Sequence, residues 1–359
     1  MSSPDSVARM RLHGDVDARG MEHDFAVNVA GSQPQWLKAA MVEALEGIAA
    51  YPGAEELRRA EAALARVHGV AAENVVLLAG ASEGFARLPQ LAAGRGIAAA
   101  AVVHPGFSEP QHVCEEVGMD VELLVLDPPF ASLPIGFNAA EKMVVIGNPT
   151  NPTGVVFEEA ALAGIGAKLL VVDEAFLDMV DSVPSLAKRA ARDPNILVLR
   201  SLTKTWGIAG LRLGYAIGTP ETLAELMRGR SHWPMGTVQI AAALAVAEHG
   251  EEELVGIRTQ VAAERREQLA RLQDLGFAEA SPGHPQVPFM LLRTPWPPEQ
   301  AEQVRQQLRA HGISVRRCDT FPGLGREFWR LAVRSKEQVS ALITAITTIT
   351  AITAIRNQQ

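Results

Sequence analysis

The 359-residue sequence is short of cysteine, of positive charge and of long apolar runs. Its two cysteines, Cys114 and Cys318, lie far apart and in no Cys-x-x-Cys or Cys/His spacing. Two reduced thiols are therefore expected, with no disulfide framework and no metal site. The 33 Lys and Arg face 41 Asp and Glu, a formal net charge of −8. Such a surface as a whole repels nucleic acid and anionic lipid, so an anionic ligand must be held by a local basic site. The first 25 residues carry charges throughout and no apolar core, which argues against export. The apolar tail from Ala341 to Ile355 is short and threaded with Thr, too brief to span a bilayer. A cytoplasmic chain with neither membrane nor nucleic acid as partner is the expectation.

What is present is ordinary globular material, 48% hydrophobic and 21% charged, in a chain long enough for two domains and a sizeable core. Short apolar runs bounded by Gly, Pro or Asp recur with helical stretches between them: Val75–Gly80, Ala99–Pro105, Val121–Leu126, Met143–Pro149, Leu169–Asp173, Ile196–Leu202 and Leu213–Gly218. Continuous runs of this kind suit strands buried on both faces, and their alternation with helices predicts an α/β domain with a mainly parallel sheet over residues 38–250. After residue 250 the pattern changes to long helices (Glu251–Leu275, Pro298–His311) with strand signals at Phe289–Arg293, Ser314–Arg317 and Arg330–Val333. A smaller α/β domain is expected there, formed by residues 251–359 with 1–37 packing back on it. The Ile at every third position from Ile343 to Ile355 drifts around a helix, so a surface helix is expected.

In open α/β sheets ligands bind outside the carboxyl ends of the strands, and here those ends carry reactive groups. Lys204 follows one run in Ser201-Leu202-Thr203-Lys204. Partly desolvated and near Arg212, such a lysine has its pKa drawn down from ~10.4, as a Schiff-base lysine requires. Asp173 ends the apolar Leu169–Val172, where a carboxylate is costly unless paired, and a protonated pyridine nitrogen is a suitable partner. Asn151, in a Pro-flanked turn, can donate its amide to a ring phenolate, and Phe107 offers a flat face for stacking. Gly80-Ala81-Ser82 at a helix start supplies N–H groups and a hydroxyl to a phosphate, with Ser201 and Arg212 as further donors. Together these are the parts of a pyridoxal phosphate site.

Two other motifs compete. Gly94-Arg95-Gly96-Ile97-Ala98-Ala99 has dinucleotide spacing but precedes a strand instead of following one. Gly80-Ala81-Ser82-Glu83-Gly84 satisfies the G-x-S-x-G of a serine hydrolase elbow, with Asp173 and His232, His249, His284 or His311 in the required chain order. That reading leaves Lys204 and the Asn-Pro-Thr-Asn-Pro-Thr-Gly turn (148–154) unexplained. Taken singly, Phe107 reads as core, Arg330 as a surface strand residue and Tyr51 as a turn aromatic. Lys204, Asp173 and Asn151 in concert do not read as bland.

The 148–154 turn, Asp173-Glu174-Ala175-Phe176 and Ser201-Leu202-Thr203-Lys204 with Gly210-Leu211-Arg212-Leu213-Gly214, in this order and spacing, resemble the class I/II aminotransferases of pyridoxal phosphate fold type I across essentially the whole chain. The resemblance implies a large domain with a mainly parallel seven-stranded sheet plus a smaller α/β domain, and pyridoxal 5'-phosphate as cofactor. It implies that Lys204 attaches the cofactor, Asp173 pairs with the ring nitrogen, Asn151 contacts the ring O3′ and Phe107 stacks. Gly80, Ala81, Ser82, Ser201 and Arg212 would hold its phosphate. Tyr51 matches the tyrosine that reaches the neighbouring subunit's cofactor, which implies a homodimer with shared sites, and Arg330 matches the arginine that clamps a substrate carboxylate.

Within the family the chain resembles two branches that use small phosphorylated substrates, histidinol-phosphate aminotransferase and the threonine-phosphate decarboxylase of cobalamin biosynthesis. The decarboxylase is the expectation. Phe176 stands where the aminotransferase branch usually has Tyr beside O3′, and the 105–109 and 315–325 segments, with His13-Gly14 and Asp24–Asn28, look like the decarboxylase form. His13, Asn28, Arg316 or Arg317, and Arg330 are then the candidate substrate site, in which the arginine for each anionic group is open. Gly14-Asp15-Val16 departs from the usual Gly-Gly-Asn. A non-catalytic cofactor-binding regulator is the weaker reading, since no basic helix-turn-helix precedes the fold and Lys204 and Asp173 are intact.

Overall fold

The seven apolar runs become the strands of one sheet in the computed structural model, which describes residues 14–29, 33–133 and 137–356. Strand β1 (His23–Phe25) comes first in the chain, and the large sheet follows with β2 (Val75–Leu78), β3 (Ala99–His104), β4 (Asp120–Val125), β5 (Lys142–Gly147), β6 (Leu169–Asp173), β7 (Ile196–Ser201) and β8 (Gly214–Ile217). Their order is β2-β8-β7-β6-β5-β3-β4. All neighbours run parallel except β8, which is antiparallel to both β2 and β7. Because β8 runs backward, its amino end at Gly214 lies beside Ser201 and Leu78, the carboxyl ends of its neighbours. Arg212, just ahead of β8, is thereby brought to the functional edge.

Alternation along the strands divides the sheet into two cores. Leu77, Val144, Ile146, Val172 and Val198 face one, while Leu78, Val145, Val171 and Leu199 face the other. The helix Ala54–His68 and the first half of Thr237–Gln273 cover the former, and Ala81–Gly94 covers the latter through Phe85, Leu88 and Leu91. Strand β4 departs from the expectation of burial on both faces. It is the sheet edge, and Leu123 and Val125 are exposed.

A second sheet has the order β1-β11-β12-β10-β9, with β9 (Ala278–Glu279), β10 (Phe289–Arg293), β11 (Ile313–Arg317) and β12 (Phe328–Ala332). β1 runs parallel to β11 and the other pairs are antiparallel. A single helix, Thr237–Gln273, joins the two sheets, instead of one beginning at Glu251. Gly250 does not stop it: a Cβ there would meet the Trp206 ring at 2.8 Å, so packing rather than helix breaking places the glycine.

The expected C-terminal helix, Lys336–Arg356, packs one face on the second sheet. Val339, Leu342, Ile346 and Ile349, spaced 3-4-3, are buried in the second sheet's core, and Ile343 falls at its margin. The threefold Ile spacing coincides with the helical stripe over only part of its length. Among the described residues no helix is long and apolar enough to cross a membrane.

Candidate active site

The carboxyl ends of β2, β5, β6 and β7 converge on one cavity. It is lined by Asn28, Ala81, Ser82, Phe107, Asn151, Asp173, Phe176, Ser201, Lys204 and Arg212, all singled out from sequence. Asp173 is the last residue of β6, in register between Gly147 of β5 and Leu199 of β7. One carboxylate oxygen accepts the Ala175 N–H at 3.1 Å. Burial pushes this carboxyl up from 3.8 to about 6, against the lowering pull of that N–H and of Lys204. A strand-end carboxylate so placed needs a cationic partner from the cavity.

Next to it lies an anion cradle. The helix Ala81–Gly94 begins after Gly80, whose φ of 80° and ψ of 160° suit only glycine. A Cβ at Gly80 would meet Arg212 Nη2 at 2.7 Å. Arg212 Nη2 donates to Ser82 Oγ at 2.9 Å, while Gln239 donates to the Arg212 carbonyl at 2.7 Å. The helix N-terminus, the Ser82 hydroxyl and the Arg212 guanidinium thus surround a space shaped for a phosphate. Ser201 Oγ is 2.6 Å from Thr203 Oγ1, a second hydroxyl that lines the cavity. Thr203 and Phe85, also on the lining, were not singled out from sequence. Thr203 stands beside Lys204, and Phe85 is one helical turn from Ala81, its ring 5.9 Å from that of Phe107.

The second sheet closes the site. Arg330 Nη1 donates to Asn151 Oδ1 at 2.7 Å, and its Nη2 donates to the Ala26 carbonyl. Since an arginine can only donate, the Asn151 Oδ1 faces it, and the amide NH2 remains for the cavity. Phe289 of β10 packs edge-on against Phe176, ring centres 4.9 Å apart, and lies 5.7 Å beneath the Arg330 guanidinium. Arg316 is the register partner of Arg330 across β11 and β12. It donates to Thr320 at 2.7 Å and lies over Phe321.

Both guanidiniums are buried, and neither bonds a carboxylate among the described residues. Among the described residues, Arg316 Nη1 and Arg330 Nε have no hydrogen-bond partner, nor does Asn28 Nδ2 on the cavity lining. Burial, with Arg316 beside it, holds Arg330 down to about 9, and burial also lowers Arg316.

The remaining candidates sit apart. Alternation turns Arg317 away from Arg316, and it is bonded to Asp319, which also faces Arg326. Tyr51 is 75% exposed and stacks on Trp233 at 4.4 Å, outside this chain's cavity. His13 lies outside the described residues, as does the Asp15 side chain. The hydrolase constellation does not assemble. Ser82 Oγ is the partner of Arg212, while His284 bonds Ser182, His311 turns back on Gln307, and His232 and His249 lie against Trp233 and Trp36.

Behind the cavity lies a buried polar cluster that sequence reasoning missed. Glu174, next to Asp173, accepts from Arg200 at 2.8 Å, from Ser185 at 2.5 Å and from the Leu186 N–H at 2.9 Å. Arg200, next to Ser201, also pairs with Asp178. Its signal was the pair of charges adjoining the two strand-end residues, which alternation sends to the opposite face.

Comparison with known proteins places the chain in a family. A model of the family "Aminotransferase class I and II" matches residues 24–346. A histidinol-phosphate aminotransferase of Mycobacterium bovis is 40% identical over 345 residues, 95% of this chain and 91% of that one. The threonine-phosphate decarboxylase of Salmonella typhimurium is 29% identical over 90% of each chain. The solved histidinol-phosphate aminotransferase of Clostridium acetobutylicum shares the fold, with a TM-score of 0.80 over 90% of this chain and 98% of that one at 21% identity.

Proposed function

The chain belongs to the class I and II aminotransferases, fold type I enzymes dependent on pyridoxal 5'-phosphate, and from that premise we propose that it transfers the amino group of a small phosphorylated amine. Histidinol phosphate is the favoured donor and 2-oxoglutarate the acceptor. The relatives at 40% identity favour this over the decarboxylation first expected from sequence. The observation that carries the phosphorylated substrate is the buried Arg316 and Arg330 pair, which bonds no carboxylate among the described residues, a prepaid anion site in an otherwise acidic protein.

The residues fit the cofactor. Asp173, a buried strand-end carboxylate beside Lys204, would pair with a protonated ring nitrogen. The Asn151 amide, oriented by Arg330, would donate to the ring oxygen. Gly80, Ala81, Ser82, Ser201 and Arg212 would hold its phosphate, and Phe107 and Phe176 on the cavity lining would offer the ring apolar contact. Lys204 is the point of covalent attachment. When bound, the cofactor supplies an electron sink for the bond broken at the substrate Cα. Lys204 Nζ would be the base that carries the proton from that Cα, since Lys204 lines the cavity just beyond β7. Arg316 and Arg330, with Asn28, hold the substrate's anionic group; Arg317, committed to Asp319, does not take part. Tyr51, exposed on the surface, serves the partner subunit's site in a homodimer.

A second reading is decarboxylation of L-threonine O-3-phosphate. It is favoured by Phe176, which packs on Phe289 and offers no hydroxyl, and by the Salmonella typhimurium relative. The holoenzyme is incubated with histidinol phosphate plus 2-oxoglutarate, and separately with L-threonine O-3-phosphate. Glutamate formation without carbon dioxide supports the transaminase. Carbon dioxide without glutamate overturns it in favour of the lyase.

A further inference from the structure

We propose that Arg334 is a positioning residue that clamps residues 24–29 over the active site and so sets the affinity for the substrate's anionic group. The inference rests on the phosphorylated-substrate reading. Segment 24–29 supplies Asn28 to the cavity and the Ala26 carbonyl to Arg330. Beyond Phe25 it belongs to neither sheet, so its backbone polar groups must find side chains.

The Asp24 carboxylate accepts the Ala26 and Val27 N–H groups, at 2.7 and 3.0 Å, and the Ser314 hydroxyl. The carbonyls are taken by arginines from the end of β12. Arg334 Nε donates to Asp24 O at 2.6 Å, Nη1 to Val29 O at 3.3 Å, and Nη2 to Val27 O. Nη1 also donates to Val333 O at 3.0 Å. Arg334 itself is rigidly mounted. Its N–H donates to Gln268 Oε1 at 3.0 Å, and the same buried glutamine donates to Ala332 O at 3.1 Å.

Arg330 and Arg334, four residues apart, therefore grip one segment, Arg330 at the Ala26 carbonyl and Arg334 at those of Asp24, Val27 and Val29, and Arg330 also bonds the cavity residue Asn151. A planar guanidinium spans several carbonyls at once, whereas a lysine ammonium acts at one point and a methionine donates nothing. The clamp borders a separate open groove lined by Asp24, Val27, Val29 and Gln33. Water from that groove can satisfy carbonyls that lose the arginine, so its removal loosens the segment without emptying the core.

The test compares wild-type holoenzyme with Arg334→Lys and Arg334→Met, with inorganic phosphate as the probe. Three readouts are taken: phosphate affinity as competitive inhibition of turnover, cofactor affinity by equilibrium dialysis, and amide exchange at residues 22–29. Arg334→Met weakens phosphate about tenfold, speeds exchange at 26 and 27 by at least as much, and leaves cofactor affinity unchanged; Arg334→Lys falls between. Unchanged phosphate affinity and exchange overturn the clamp. So does a parallel loss of cofactor affinity and of protection across the second sheet, which marks a merely structural arginine. Failure of the wild type to bind phosphate overturns the phosphorylated-substrate reading instead, and the exchange data still decide whether the clamp exists.

Discussion

Replacing Asp173 by asparagine separates the protein's stability from its chemistry. The substitution keeps the side chain's size and the Oδ1 that accepts the Ala175 N–H, and removes only the charge. In the cofactor-free protein that charge is a liability, because burial lifts the folded-state pKa from 3.8 to about 6. The folded state holds its proton more tightly than the unfolded chain. Stability from this group is thus present below about pH 4, falls as the pH rises through 4 to 6, and stays lost above.

The full loss is about 3 kcal/mol, an upper figure because the carboxylate opens onto a cavity that admits water. Cofactor-free Asp173→Asn is therefore more stable than wild type by roughly 1–3 kcal/mol at pH 8, with about half of the gain present at pH 5. With cofactor bound the sign reverses. The partner of the ring nitrogen is gone, and turnover falls by about 10²–10³. Thermal denaturation of both forms between pH 5 and 8, with activity assays alongside, reads each arm. A cofactor-free Asp173→Asn less stable than wild type at pH 8, or a difference that does not grow with pH, refutes the reasoning.

Gly80→Ala forces an alanine into a glycine-only backbone region and drives its Cβ into Arg212. It costs about 1–3 kcal/mol of stability and weakens cofactor binding, read by dialysis, whereas unaltered cofactor affinity contradicts the cradle. Glu174→Gln breaks a buried ion pair while leaving Arg200 its bond to Asp178. Urea denaturation should show a loss of about 3 kcal/mol, and a change below about 1 kcal/mol means the cluster is not structural. Tyr51→Phe leaves subunit stability within about 0.5 kcal/mol because the ring is exposed. The same variant lowers cofactor affinity if the hydroxyl serves the partner subunit, and equal affinity argues against shared sites.

Lys204, Asp173 and Asn151 were legible in the sequence because each ends or follows a buried apolar run, and a polar group there has few reasons to exist other than chemistry. The strands were legible for the same reason, since burial on both faces writes itself as a continuous apolar run. Misreadings arose where composition does not carry the neighbour. Strand β4 was grouped with the inner strands although Glu122 interrupts its apolar run, and it stands at the edge, while Gly250, just ahead of the helix start expected at Glu251, lies inside a longer helix and packs on Trp206. Arg316 and Arg317 are adjacent and chemically identical, and only strand alternation, with Asp319 beside one of them, tells the buried cation from the paired one.

The sequence by itself determined most strands and the polar side chains at their ends, because both are local: an apolar run and a polar residue at its end need no knowledge of what lies across the chain. The tertiary structure decided how those residues meet. The reversal of β8 carries Arg212 to Ser82, the second sheet sets Arg330 on Asn151, and Arg334 ties residues 24–29 to the end of β12. Each of these joins residues some 130 to 310 positions apart. Contacts at that separation arise only when burial of the two sheets closes the chain on itself.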